Sequence, residues 1–357
     1  MRKEIIYLAL LLALFTSCEE YYKPDLEVVS PTLVVESHLT NNVAQSFVRL
    51  SMTKDFYNTT ANQDVVGAKV ELVQSGGLIL KGIDGGTGYF TFTSSPTPGG
   101  KYFLRITNQK DIYESETVLM PPLPQIDSLY TIHNVDKSYR TDAFGSPELV
   151  ETPGRKVYID APITSSLEYY RFDSRAVLQW VYSPPAPVPS FGPPPPPWYG
   201  WKSIYDLGTF NLAGPKEFSS SNKVTKHSIV SLAYNSQIYL DSISQIGAGW
   251  ILILDEYGTT KSSYDFHEKL NKQLSADGSL FDPVLTQIYG NIKCTSDPTK
   301  IVLGFFELNS YRQYRYFLNL GIDEGSKVVQ RRLNRYPEIS YEGHLIGERP
   351  LFWESNQ

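Results

Sequence analysis

Cysteine is nearly absent: the chain has 357 residues and two cysteines, Cys18 and Cys294. A disulfide framework of the kind that supports small secreted domains is therefore excluded. Basic charge is not in excess, since 32 Lys+Arg stand against 38 Asp+Glu for a net charge of −6. That balance does not suit a phosphate backbone, and nucleic acid is not an expected partner. Beyond the N-terminal segment no apolar run approaches the about 20 residues a membrane-spanning helix needs. "WILIL" at 250–254 is strand-length. The five histidines, at 38, 133, 227, 267 and 344, are scattered. There is no H-E-x-x-H, no G-x-S-x-G and no Cys/His spacing for zinc. Asp255, Glu256 and Asp265 are neighbours in sequence but lack EF-hand spacing, and read as a solvated turn. "GIDGGTGYF" lacks the Lys-Ser/Thr and the following helix of a phosphate loop, so its glycines read as a hairpin turn needing positive φ. No catalytic residue, metal ligand or cofactor is expected, and the protein reads as non-enzymatic. A glycosidase carboxylate pair, distant in sequence, is the enzymatic arrangement that pattern reading leaves open.

The N-terminus carries the most specific signal. Arg2 and Lys3 precede an unbroken apolar run of eleven residues, Ile5 to Phe15. This has the length of a secretory h-region, about 7–15 residues. Thr16 and Ser17 are small, and Cys18 follows. The pattern "FTSC" predicts a bacterial lipoprotein signal over residues 1–17, with Cys18 acylated as the first residue of the mature chain. A single acyl chain holds a protein only marginally, whereas a diacylglyceryl group with a further amide-linked chain gives a stable anchor. Acylation of Cys18 leaves Cys294 without a partner in the chain, and "NIKCTSDP" then places it as a small buried residue at a strand end.

Residues 18–30 read as a tether. From Pro31 the pattern turns to strands: "TLVVESHL", "SFVRLSM", "AKVELV", "GLILKGI", "GYFTFT", "KYFLRIT" and "YESETVLM", separated by Gly-, Asn-, Asp- and Pro-rich breaks. Short strands with turn signals at this spacing predict a β-sandwich over 31–120. "PPLPQ" at 121–125 reads as a stiff linker. A second β-rich domain is expected over 121–357, with "RKVYIDAPI", "YYRFDSRAVLQWVYS", "SIVSLAY", "SQIYLDSIS", "GWILILDEY", "KIVLGFF" and "RQYRYFLNL" as strands. The fold class is thus mainly β, with one or two short helices. The clear helix is "SSYDFHEKLNKQLSADG", where Phe266, Leu270 and Leu274 share a face. Ser262 with Asp265 resembles a capping box, and Gly278 can end the helix. His267 reads as a boundary histidine.

Residues 183–201, "SPPAPVPSFGPPPPPWYGW", cannot form a strand interior, because proline does not donate to a ladder. Pro193 to Pro197 predict an extended polyproline helix within a long projecting loop. Its tip and exit carry Phe191, Trp198, Tyr199 and Trp201. Two accounts of these aromatics stand: they cover the domain's own core, or they form a contact surface for a partner or ligand.

Taken in order, "LVVESHLT", "VRLSMTKDFYN", "VVGAKVELV", "GYF", "GGKYFLRI" and "PPLPQIDSLY", then "YDFHEKLNKQL", "GSLFDP", "GNI", "VLGFFELNS" and "RPLFW", make the chain resemble the Bacteroidota lipoprotein family called domain of unknown function 4249. The first half also looks like carboxypeptidase-regulatory, transthyretin-like sandwiches. The stretch before the terminal "RPLFW" departs from the family in lacking a cysteine pair. The resemblance implies an outer-membrane lipoprotein with a TonB-dependent receptor as partner, and it carries over no catalytic residue. Glu19 and Glu20 are similar to acidic export signals that send such lipoproteins to the cell surface; by charge alone they form a solvated tether. The expectation is a surface-exposed accessory or ligand-capture partner of a TonB-dependent transporter. The rivals are a structural or adhesive envelope protein and an unrecognised hydrolase.

Overall fold

The alternation in "LVVESHLT" sets the first strand. β1 (Leu33–Thr40) buries Leu33, Val35 and Leu39 on one face and turns Glu36 to solvent, the period of two imposed by a half-buried strand. The computed structural model describes residues 30–54, 63–141, 144–182, 192, 198–205, 208–215, 223–233, 249–276 and 287–319. After β1 come β2 (Phe47–Met52), β3 (Gln63–Asp64), β4 (Lys69–Gln74), β5 (Ile79–Asp84), β6 (Tyr89–Phe92), β7 (Lys101–Asn108), β8 (Asp111–Ser115) and β9 (Val118–Leu119). The order β1-β2-β6-β5-β4-β7-β8 curls around one core. Val35, Leu50, Leu72, Phe90, Leu104 and Ile106 are fully enclosed there. The "GIDGGTGYF" segment is the β5–β6 turn, where Gly86 and Gly88 take φ of +80° and +67°. The Asp84 carboxylate accepts the N–H groups of Gly67 and Gly86 at 2.7 and 2.8 Å, tying two loops together.

The second region holds β10 (Ser128–Thr141), β11 (Pro147–Pro162), β12 (Tyr169–Tyr182), β13 (Trp198–Tyr205), β14 (Asn211–Ala213), β15 (Lys223–Ala233) and β16 (Gly249–Thr259). Helix α1 (Lys261–Leu274), β17 (Ile292–Cys294) and β18 (Val302–Asn319) follow. A three-stranded sheet, β10-β11-β15, packs against β12 and β16 across a second core that includes Val157, Ile159, Tyr170, Phe172, Leu252 and Leu254. Along Tyr139 and its β11 partner Leu149 the β10–β11 hairpin runs beyond the part paired with β15. Its tip is open to water, with Phe144 94% exposed. The sequence pattern gives no strand at β10, because most of its length is exposed on both faces and its apolar alternation is weak.

The two halves share β18. "KIVLGFF" and "RQYRYFLNL", expected as separate strands, form one element of 18 residues. Val302–Asn309 pairs in parallel with β1, and Ser310–Asn319 pairs antiparallel with β16. β17 pairs with β8. Ile292, Cys294, Val302, Phe306 and Leu308 therefore enter the same core as the strands of residues 31–120. Cys294 ends β17 as a buried free thiol. The Asn291 side chain completes the closure, donating to the Phe306 carbonyl at 3.0 Å and accepting its N–H at 2.8 Å.

Helix α1 begins two residues earlier than the expected capping box. Thr260 is the N-cap, its hydroxyl accepting the Ser263 N–H at 3.2 Å, and Ser262 lies in the first turn. The buried residues are Ser263, Tyr264 and His267, while Leu274 is 62% exposed. The helix rests on the sheet by its first two turns, so the expected Phe266/Leu270/Leu274 stripe is only partly covered. Phe266 stacks on Phe305 at 4.4 Å between ring centres. Gly278 and "SQIYLDSIS" lie outside the described residues.

Gly304 has φ +94°, and a Cβ there would collide with the Val35 carbonyl on β1. Backbone strain and collision both oppose a side chain. Gly304→Ala is expected to lower stability by about 2 kcal/mol or more. Urea unfolding followed by intrinsic fluorescence measures this, and a loss under about 0.5 kcal/mol would mean the close approach of β1 and β18 carries little weight.

Candidate functional site

Helix α1 touches two features, an open groove at its start and a buried ionic cluster beneath its second turn. The groove encloses about 780 Å³. It is lined by the continuous chain from Glu116 through β9 to Leu123 and by Ser165, Ser166, Glu168 and Tyr169. Thr259 to Ser262 close the end. The surface is mostly apolar, supplied by Pro98, Leu119, Pro121, Pro122 and Leu123, with Leu119 54% exposed. Glu116 and Glu168 are exposed and both line the groove. The Lys261 ammonium is held by Asp265 at 2.5 Å, one helical turn away. The Thr259 hydroxyl is buried with no hydrogen-bond partner among the described residues.

The ionic cluster is centred on Glu307 of β18. Its Oε1 accepts from Arg171 of β12 at 2.6 Å, from the Ser263 hydroxyl at 3.2 Å and from the Asn309 amide. Its Oε2 faces His38 Nδ1 of β1 at 3.4 Å. His267 Nδ1 donates to the Ser263 carbonyl at 2.9 Å, which leaves Nε2 as the acceptor facing Arg171 at 3.4 Å. The Arg171 guanidinium also lies 4.3 Å over the Tyr257 ring and reaches Asp173 at 3.4 Å. Burial alone would push the Glu307 carboxyl up, but the Arg171 charge, with the His38 contact, outweighs it and holds it well below the ordinary carboxylate range. Burial pulls His267 down, with Glu307 opposing. Beside the cluster, the Gln45 side chain bridges the Tyr257 and Tyr311 hydroxyls, and Tyr311 donates to Asp255 at 2.7 Å. Five elements are thus tied at one point: β1, β12, β16, β18 and α1.

Glu256 is on the opposite face of β16, inside the second half of the molecule and fully enclosed. Neither carboxylate oxygen makes a well-formed hydrogen bond among the described residues, although the Tyr314 hydroxyl lies close enough to favour the charged form. Burial pushes its pKa up to about 8, against the pull of the Arg312 charge. The group is therefore protonated at neutral pH.

The residues singled out from sequence fall in different places. Cys18, Glu19, Glu20 and Phe191 lie outside the described residues. Trp198, Tyr199 and Trp201 lie in β13, an edge strand of the large sheet, in register with Tyr182, Val181 and Gln179 of β12. The pair Asp255 and Glu256, expected in a solvated turn, sits in β16 with its side chains on opposite faces, and Asp265 belongs to α1. Alternation separates them, so they do not gather around a cation. Among the described residues no group of three or more His, Cys, Asp and Glu is placed to hold a metal ion. His267 is not a boundary residue but part of the buried cluster. Arg171, Glu307 and His38 had no local signal, since Arg171 and Glu307 are 136 residues apart.

A protein-family model described as Domain of unknown function (DUF4249) matches residues 19–315, a span that includes both cores, the groove and the ionic cluster. No curated protein and no solved structure matches the chain.

Removing one member of the cluster strands the other charge. Glu307→Ala and Arg171→Ala are each expected to cost about 3–5 kcal/mol. The double variant Arg171→Met/Glu307→Leu should cost clearly less than their sum. Chemical denaturation of the set decides this, and additive losses would show that the two groups are not coupled. The Glu307 contribution is complete above its ordinary value near 4.5 and is lost as pH falls through its depressed folded value.

Glu256 acts with the opposite sign. Between about 4.5 and about 8 the folded state keeps a proton that the unfolded chain has released. Stability is therefore expected to decline with rising pH across that window, by on the order of a few kcal/mol. Glu256→Gln should match the parent near pH 4.5 and exceed it above pH 8. Parallel pH–stability curves would overturn this assignment.

Proposed function

The chain belongs to the domain of unknown function 4249 family, whose model spans both of its cores, and from its residues we propose a non-enzymatic lipoprotein that binds rather than converts. In this reading it is a Bacteroidota outer-membrane protein held by lipid on Cys18 and facing the cell exterior. Glu19 and Glu20 serve as the export signal. It acts as accessory or ligand-capture partner of a TonB-dependent transporter, and its N-terminal half is a transthyretin-like sandwich. The observation that carries the reading is the stretch "FTSC" after an apolar run of eleven residues, the length of a signal h-region and too short to span a bilayer. The open groove and the aromatic edge strand β13 are the surfaces on which capture would occur.

A structural or adhesive envelope role is the second reading, favoured by the exposed β10–β11 hairpin. Changing Trp198, Tyr199 and Trp201 together to alanine separates the two. Partner capture is lost under the first reading and unchanged for a spacer.

The anchor and the partner are tested together. Labelled fatty acid should enter the parent protein and not Cys18→Ala, which should leave the membrane fraction. After mild solubilisation the tagged parent is expected to bring down an outer-membrane β-barrel protein. Labelling that survives Cys18→Ala would overturn the anchor, and repeated absence of any barrel would overturn the transporter partnership.

A further inference from the structure

The short strand β9 forms part of the groove wall, and its backbone is only half used. Met120 donates its N–H to the Gly100 carbonyl, and its own carbonyl accepts the Gly99 N–H, both at 2.9 Å. Lys101 pairs with Leu119 and Tyr102 with Val118. In an antiparallel ladder alternate residues point their N–H and C=O groups to opposite edges. Val118 and Met120 face β7, so the backbone groups of Thr117 and Leu119 face away from it. No hydrogen bond to these groups occurs among the described residues. The chain lines the groove on through Met120 to Pro121 and Pro122.

We infer that the groove takes an extended peptide segment of another protein, which adds as a strand to the free edge of β9 and brings a basic side chain to the carboxylates of Glu116 and Glu168. The backbone supplies hydrogen bonds that need no particular sequence. Selectivity comes from the walls. Leu119 and Leu123 are 54% and 43% exposed and take apolar side chains of the segment. Glu116 and Glu168 both line the groove and carry no ion pair among the described residues, whereas Lys261 is neutralised by Asp265. The rim is therefore acidic, and an arginine or lysine complements it. This rests on the reading of the chain as a binding protein, but not on its location or on a transporter partner.

The test uses the full chain purified in detergent and a fluorescent probe peptide, Thr-Val-Lys-Val-Thr-Val, with anisotropy as the readout. Saturable binding is expected. N-methylation of alternate peptide amides should weaken it at least tenfold, and so should replacing the probe lysine with glutamate. Glu116→Lys/Glu168→Lys should reverse the preference between the lysine and glutamate probes. Leu119→Pro removes an edge donor without removing a ladder bond, and should weaken binding at least tenfold while the unfolding midpoint stays near the parent's. Absence of saturable binding, or binding indifferent to N-methylation and to charge, would overturn the proposal. So would a dimer in sedimentation that the same variants dissociate, because the occupant would then be a second copy. These outcomes do not depend on lipidation, so the inference and the membrane assignment fail separately.

Discussion

The fold depends on one ion pair with little access to water. Glu307 and Arg171 come from strands far apart in sequence, the two residues being 136 positions apart, and both are almost wholly enclosed. Removing two charges from water costs several kcal/mol each, and attraction alone seldom repays it. Here the carboxylate also receives Ser263, Asn309 and His38, and the guanidinium lies over Tyr257. The pair thus has enough additional contacts to be tolerated. What it gains is specificity of arrangement: a different register of β18 against β1, or of α1 on the sheet, would bury the same charges without partners.

The groove inherits its shape from this joint. Ser263 and His267 fix the early turns of α1 over Glu307. The residues just before them, Thr259 to Ser262, form the end of the groove. Ser310 donates to the carbonyl of Pro122 at 2.6 Å, so β18 also holds the linker wall in place. The exposed surface that is suited to a ligand is therefore held by groups that are themselves buried, which is how rigid sites are usually supported.

Much of the β architecture could be read from alternation and turn residues. The strands with one buried face were visible, as was the "GIDGGTGYF" turn. β10 was not, because most of it faces water on both sides. The continuity of β18 was not visible either, since "ELNS" interrupts the apolar pattern at the point where its Glu307 and Asn309 leave the core for the ionic cluster. The cluster was invisible as a site, because pattern reading detects neighbours and Arg171, Glu307, His38 and His267 are distant in sequence. Yet "LVVESHLT", "YDFHEKLNKQL" and "VLGFFELNS", three of the segments that carry the family resemblance, meet there through His38, His267, Glu307 and Asn309. The order of the motifs identified the family and said nothing of their contact. Only the packed chain shows what that contact is.

The position of β18 also sets a timetable. His38 meets Glu307, a separation of 269 residues, and long-range pairing of this kind slows folding. A chain delivered N-terminus first has β1 with one bare edge until almost all the described sequence has emerged. At about 5–20 residues per second this lasts some tens of seconds. During that interval the first core lacks Ile292, Val302, Phe306 and Leu308 and cannot close. The sheet closes only when its last described strand enters between β1 and β16.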